Sequence, residues 1–203
     1  MVKNPKEEKT LVLIKPDGIQ RALAGEILSR FERVGLKISA LKFLLPTPDQ
    51  AYRHYVKNET EIEALGLRSI EGKKKSGIEV NEDPKLLGKK IIDRLVTFLS
   101  AGPVIVMVLE GNHAAAITRK LVGSTEPLQS DVGTIRGDYT IDSYSLADYG
   151  NGGRAVRNLI HASANTEEAD YEIKVWFDPK EIINYKNSFD AILYDVNLDG
   201  ILE

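Results

Sequence analysis

Two short apolar runs constrain this chain more than any other feature. Thr10–Lys15 reads TLVLIK and Val104–Leu109 reads VIVMVL. Both are strand-length and rich in Val, Ile and Leu, and both fall far short of the roughly 20 apolar residues that a membrane-spanning helix needs. The first leads into Pro16-Asp17-Gly18, a turn signal, and the second follows Gly102-Pro103 and reads as a central strand.

Between them the spacing turns helical. Leu23, Ile27, Phe31 and Val34 recur at helix period, with Gly35 where a C-terminal glycine belongs. Lys37–Leu45 returns to strand character, Pro46-Thr47-Pro48 stops it, and a short helix is expected over Asp49–Lys57. Leu87, Ile91, Leu95 and Leu99 predict a helix that Gly102-Pro103 ends, and Ala114–Val122 predicts another. Gly123–Asp138 reads as a long loop. Leu159–His161 resembles a short strand feeding a helix with Asn165 as N-cap and Glu168 at its third position. Ala169, Ile173, Trp176 and Phe177 form the apolar face of that helix. This order predicts an α+β fold, a ferredoxin-like βαββαβ antiparallel sheet with helices covering it on one face.

The 203 residues suit one domain with a substantial core, and no repeat or linker divides them. The expectation is a single domain over 1–203, with a charged, partly helical surface insertion at 58–88, a flexible excursion at 143–153 and a tail at 187–203. The chain has no cysteine, which removes disulfides, thiol catalysis and cysteine-bound metals. A formal charge of −3 argues against a broad nucleic-acid face, so any anion site must be a local cluster of positive groups. The charged start MVKNPKEEK lacks a signal-peptide core, and a soluble cytoplasmic protein without membrane contact is expected.

Three motif fragments fail. Gly66–Lys74 has the wrong glycine spacing for a P-loop and no preceding strand, and Gly150-Asn151-Gly152-Gly153 lacks a strand-to-helix context. Asp195–Gly200 matches half of a calcium loop, but the chain ends at Glu203, before the position of the required glutamate. No metal ligand set is expected.

Three segments suit phosphate chemistry. Lys15 ends a buried strand beside a tight turn, where its ammonium reaches a cleft or simply solvent. In Gly123–Tyr139, Thr125 and Arg136 join Arg119 of the preceding helix, as donors for phosphate oxygens or as unrelated surface residues. His161, in Asn158–Asn165 (NLIHASAN), is either a structural imidazole or a nucleophile with Glu172 reaching back to it.

Taken in order, TLVLIKPDGIQR, GEILSRFE, His54–Val56 (HYV), GPVIVMVLEG, GTIRGDY, NLIHASAN and EEADYEIKVWF resemble the nucleoside diphosphate kinase family. The resemblance runs from about Thr10 to Lys186. It implies that His161 accepts a γ-phosphoryl group on Nδ1, with Glu172 bonded to it and Ser163 close by. It implies further that Lys15, Tyr55, Arg119, Thr125, Arg136 and Asn158 hold the phosphates and ribose of nucleoside di- and triphosphates. Mg²⁺ then arrives on the phosphates, the reaction is ping-pong, and the protein is a homo-oligomer. Two positions depart from the pattern. Ala164 replaces the aspartate that follows the active-site serine, which touches local caps more than chemistry. Ile91, counted back from Gly102-Pro103, falls where the phenylalanine that stacks on the base is expected, which gives an aliphatic shelf or marks a shift of register by the first insertion. A nucleotide-binding regulator on the same fold and an RNA-binding ferredoxin-like module are the competing readings.

Overall fold

The computed structural model describes residues 8–75, 77, 79–149, 153–195, 197, 199 and 200. Four strands, β1 (Glu8–Ile14), β2 (Lys37–Leu44), β3 (Val104–Gly111) and β4 (Ile160–Ala162), form one antiparallel sheet in the order β2-β3-β1-β4. The apolar runs at 10–15 and 104–109 thus become its two central strands, paired from Glu8↔Gly111 to Ile14↔Ile105. β4 is an edge strand that meets β1 only through Val12↔Ala162, Leu13↔His161 and Ile14↔Ile160. The described helices are α1 (Pro16–Gln20), α2 (Ala24–Arg33), α3 (Pro48–Tyr55), α4 (Glu59–Lys75), α5 (Pro84–Leu99), α6 (Ala114–Val122), α7 (Ile135–Tyr139), α8 (Tyr144–Asp148), α9 (Thr166–Trp176) and α10 (Ser188–Tyr194).

The helices cover both faces of the sheet, not one. Val12 and Ile14 pack with Ile27 and Phe31 of α2 and Val122 of α6. On the opposite face, Leu11 and Leu13 pack with Ala51 of α3, Leu99 of α5 and Ala169, Ile173 and Trp176 of α9. The reason lies in the run itself. Successive strand residues point to opposite faces, so four consecutive apolar residues, Leu11–Ile14, all fully buried, require cover on both sides. Burying each contributes about 1.5–3 kcal/mol.

Local signals set the helix ends. Gly35, at φ 89°, closes α2 with the paired bonds of a Schellman motif, Gly35 N–H to Glu32 O at 3.0 Å and Leu36 N–H to Phe31 O at 3.2 Å. Asp83 caps α5 by accepting from Leu86 N–H at 2.9 Å, with Pro84 in the first position. Asn165 caps α9 through Glu168 N–H at 2.8 Å. The expected turn at Pro16-Asp17-Gly18 is instead the first turn of α1, because Pro16 already has helical φ.

Residues 58–88 are more ordered than their weak pattern suggests. The 17-residue α4 packs on α5 through two glycines. A Cβ on Gly66 would lie 1.8 Å from the Pro84 carbonyl oxygen, and one on Gly88 1.9 Å from that of Ile62. A contact made of glycine and backbone leaves little hydrophobic period to read. In the long loop, α7 forms behind Thr134, which accepts from Gly137 N–H at 3.0 Å. In the 143–153 stretch, Ser143 caps α8, and Asp148 meets Lys73 at 3.0 Å and Arg94 at 3.3 Å. Residues 150–152 of that stretch lie outside the described residues, as do Val196 and Leu198 of the acidic tail.

Candidate active site

The site is built where β1 and β4 end side by side. Leu13 and His161 face each other across the pair, so the His161 side chain lies on the α3–α9 face of the sheet. There Glu172, one and a half turns into α9 and 1% exposed, meets His161 Nε2 with both oxygens, Oε1 at 2.8 Å and Oε2 at 3.0 Å. This fixes the tautomer: Nε2 carries the proton and donates it, and Nδ1 has no hydrogen-bond partner among the described residues. The ring stays 21% exposed, enough for a substrate to reach it.

Ser163 holds Glu172 from below. Its hydroxyl donates to Glu172 Oε2 at 2.5 Å, and Leu11 N–H donates to the same hydroxyl at 3.3 Å. Burial pushes the Glu172 carboxyl above its usual range, while His54, the Ser163 hydroxyl and Lys57 work in the other direction. Ala164 stands where the family pattern has an aspartate, and Glu168 fills the gap by accepting Ala164 N–H and pairing with Lys57 at 3.2 Å.

Next to His161 the chain makes a γ-turn. Ile160 N–H bonds back to Asn158 O at 2.7 Å around Leu159, whose φ is 66°. A leucine in that region costs on the order of 1–3 kcal/mol. Asp17 Oδ2 supports it by accepting Leu159 N–H at 3.1 Å. The turn aims Asn158 across the site, where its Oδ1 accepts from Lys15 Nζ at 2.7 Å and its Nδ2 donates to Thr125 O at 2.8 Å. Lys15 therefore points inward and is 5% exposed.

Arg136 is bonded to four carbonyls. It reaches Gly123 at 3.1 Å, Ser124 at 2.9 Å, Asn158 at 3.2 Å and Ile160 at 2.6 Å, stitching the 123–125 loop to β4. Arg119, half-buried in the last turn of α6, adds its charge to the same cluster.

These cations destabilise one another. Burial first, and then Arg136, pulls the Lys15 amine down to about 7, with Asp17 opposing. Burial and Arg119 lower Arg136 to about 10. Burial, then Lys15, Arg136 and Arg119, hold His161 far below the ordinary histidine value, so its ring is neutral. Crowded positive charge beside a neutral imidazole is a receptor for an anion.

Of the residues expected from sequence, His161, Glu172, Ser163, Lys15, Asn158, Arg136, Arg119 and the Thr125 backbone come together. Tyr55 joins them through a buried hydroxyl that has no hydrogen-bond partner among the described residues, and burial raises its phenol. Ile91 is half-buried on α5, outside the three buried apolar clusters. Sequence reasoning missed Asp17 and His54, which lie inside the quoted KPDG and HYV segments but show their role only through partners 142 and 122 residues away. His54, His161 and Glu172 also place ligand-type atoms within 4.8 Å of one another. The Trp176 indole N–H occupies His54 Nδ1 at 3.3 Å and Ser163 occupies Glu172 Oε2, so the trio reads as a hydrogen-bond network.

A family model described as nucleoside diphosphate kinase matches residues 8–64 and 84–182, leaving out 65–83. A nucleoside diphosphate kinase of Pyrobaculum aerophilum is 44% identical over 181 residues, covering 87% of this chain and 98% of the relative. The crystal structure of an NDP kinase from that organism superposes with a TM-score of 0.81 at 43% identity, covering 88% of this chain and all of that one. A Borrelia burgdorferi nucleoside-diphosphate kinase, solved as a transition-state mimic with bound vanadate and ADP, gives 0.76 at 35% identity over 93% and 98% of the two chains. The chain belongs to the nucleoside diphosphate kinase family and is a phosphotransferase.

Proposed function

We propose that this chain moves the γ-phosphoryl group of a nucleoside triphosphate to a nucleoside diphosphate by a ping-pong reaction through phospho-His161. The observation that carries this is the neutral imidazole with Nε2 committed to Glu172, Nδ1 without a hydrogen-bond partner among the described residues, and the charge of Lys15 acting on the ring. The Nδ1 lone pair attacks the γ-phosphorus as the bond to the β,γ-bridging oxygen breaks, and the diphosphate leaves with those electrons. A terminal oxygen of a second diphosphate then attacks the same phosphorus, the P–N bond breaks, and the ring regains its neutral form. Lys15, Arg119 and Arg136 face the charge spread over the equatorial oxygens, and Asn158 and the Tyr55 hydroxyl orient phosphate and ribose. Glu172 takes up the positive charge that develops on the ring, as Ser163 keeps it in place. The vanadate and ADP of the Borrelia relative support an in-line transfer of this kind.

Mg²⁺ fits this site as a passenger on the nucleotide. The cluster offers cations and an amide; Asp17 commits Oδ2 to Leu159 N–H, and Glu172 commits both oxygens to His161. The ion's chemistry is charge neutralisation on the phosphates, which need no protein cage. Self-assembly is supported by edge strand β2, where Leu41 and Phe43 are 46% and 64% exposed, and by Leu45 just beyond its end at 65%. No described helix is long and apolar enough to cross a membrane. We place the reaction in the cytoplasm on the acidic, cysteine-free composition, with 58–88, 143–153 and 187–203 as elaborations of one domain.

Incubation with γ-labelled ATP and Mg²⁺ is expected to give an acid-labile, alkali-stable phosphoprotein that passes its label to an added diphosphate. Equal labelling of wild type and His161→Ala, or labelling of neither, overturns the reading. Tight nucleotide binding without exchange would favour a regulator on the same fold.

A further inference from the structure

His54 is a buried titratable group that the reaction above does not use. It sits at the end of α3, with its side chain 0% exposed. Its Nδ1 accepts the Trp176 indole N–H at 3.3 Å. An indole nitrogen only donates, so this bond makes Nδ1 the bare nitrogen and puts the proton of neutral His54 on Nε2. That Nε2 is buried and has no hydrogen-bond partner among the described residues. The ring lies in an aromatic box formed by Tyr55 at 4.8 Å, Trp176 at 5.6 Å and His161 at 4.4 Å between centroids. Against His161 the interplanar angle is 84°, an edge-to-face contact.

The nucleophile needs such a contact. Both Glu172 oxygens approach one nitrogen, at 2.8 and 3.0 Å. A shared contact of that kind fixes where Nε2 sits and leaves the ring free to turn about the line joining it to the carboxylate. In-line attack needs Nδ1 held in direction as well as in place. The His54 ring supplies a wall perpendicular to the His161 plane. Its depressed basicity, lowered to about 3 chiefly by burial and next by His161, keeps that wall uncharged, so it neither repels the charge developing on His161 nor competes with it for Glu172.

We propose that His54 is a positioning residue for His161: locked by Trp176, its ring fixes the plane of the nucleophilic imidazole and keeps Nδ1 aimed at the phosphate site. The inference rests on the reading of His161 as the nucleophile. Two variants separate ring from hydrogen bond. His54→Phe keeps an aromatic edge and loses the acceptor, and His54→Asn keeps an acceptor for Trp176 and loses the ring. Single-turnover phosphorylation, nucleotide KM and nitrogen NMR of the His161 ring are measured on each full-length protein. His54→Asn is expected to phosphorylate about tenfold or more slowly with KM within about twofold of wild type, a loss typical of removing a group that orients a functional ligand. Its His161 nitrogens should keep the Nε2–H tautomer that Glu172 sets and show shifted, broadened signals from a ring no longer held in one plane. His54→Phe should stay within about threefold of wild type in rate and keep the wild-type ring signals, although it melts lower for want of a partner to the indole N–H. Should His54→Asn not fold, His54→Leu, of similar volume without a ring, replaces it with the same expected order. Rates and ring signals equal to wild type in the ringless variant, or a ringless variant faster than His54→Phe, overturn the proposal. Failure of wild type itself to label would instead overturn the reading of His161.

Discussion

The end of the sheet that carries His161 and the α4–α5 hairpin are held together in opposite ways. Around His161 nearly every contact is polar, long-range and buried. Lys15 reaches Asn158, Arg136 spans four carbonyls, Asp17 supports a strained Leu159, and Ser163 fixes Glu172. In the hairpin, the close contact is backbone against backbone at Gly66 and Gly88, with a small apolar cluster of Val56, Ile62 and Ile92 and half-exposed ion pairs at Asp148. Buried polar contacts specify one geometry and fail steeply when a partner is lost, whereas glycine contacts fail by steric separation and surface ion pairs barely at all. The first region is built for chemistry and the second for attachment.

Glu172→Gln gives the largest expected effect. It leaves the protein folded with an amide beside Nε2 and removes the charge that stabilises a cationic ring. Turnover should fall about 10–100-fold with KM nearly unchanged, read by steady-state exchange. A change in KM alone would move Glu172 from orienting the nucleophile to binding nucleotide.

Gly88→Ala breaks the hairpin. The added methyl would stand 1.9 Å from the Ile62 carbonyl, so α4 must shift away from α5. Thermal and urea unfolding should show a loss of roughly 1–3 kcal/mol. Activity at low temperature should persist, since no cluster residue is displaced. Loss of activity in protein that remains folded would tie the hairpin to the site.

The pH dependence separates the regions further. Lys15 titrates at about 7 in the folded chain and at the ordinary 10.5 when unfolded. Between those values the unfolded state binds more protons, so stability of the nucleotide-free protein rises with pH across that window. If Lys15 holds the phosphates as proposed, nucleotide binding requires the charged amine and draws a proton in. Affinity should therefore fall by up to about tenfold per pH unit above 7, with proton uptake visible by calorimetry in buffers of different ionisation heat. Affinity independent of pH from 7 to 9 would show that Lys15 keeps its ordinary basicity.

Lys73→Ala should do least. Its pair with Asp148 is partly exposed and Arg94 remains, so unfolding should move by less than about 1 kcal/mol. A larger loss would mean that α8 is anchored chiefly through α4.

The same contrast explains what the sequence could and could not reveal. The sheet was legible because Leu11–Ile14 and Val104–Leu109 are continuous apolar runs, though the one-faced cover expected for it ignored that four consecutive apolar residues must be buried on both sides. The site residues were legible as fragments of motif, KPDG and NLIHASAN, and the structure adds the bonds between them. Arg136 looked like a free phosphate fork and instead grips carbonyls from two segments, 123–124 and 158–160, a role that spacing along the chain does not encode. His54 and Asp17 were present in plain view and unread, because their partners are distant in sequence. The hairpin was least legible of all, since glycine packing leaves no hydrophobic period.

In the proposed reaction Nδ1 of His161 is the atom that takes the phosphoryl group. Wild-type protein treated with a nucleoside triphosphate and Mg²⁺, quenched in alkali, digested and examined by mass spectrometry and phosphorus NMR tests it directly. One phosphorylated residue, His161, substituted at Nδ1, is expected. Phosphate on Nε2, or on any other residue while His161 stays bare, would contradict it.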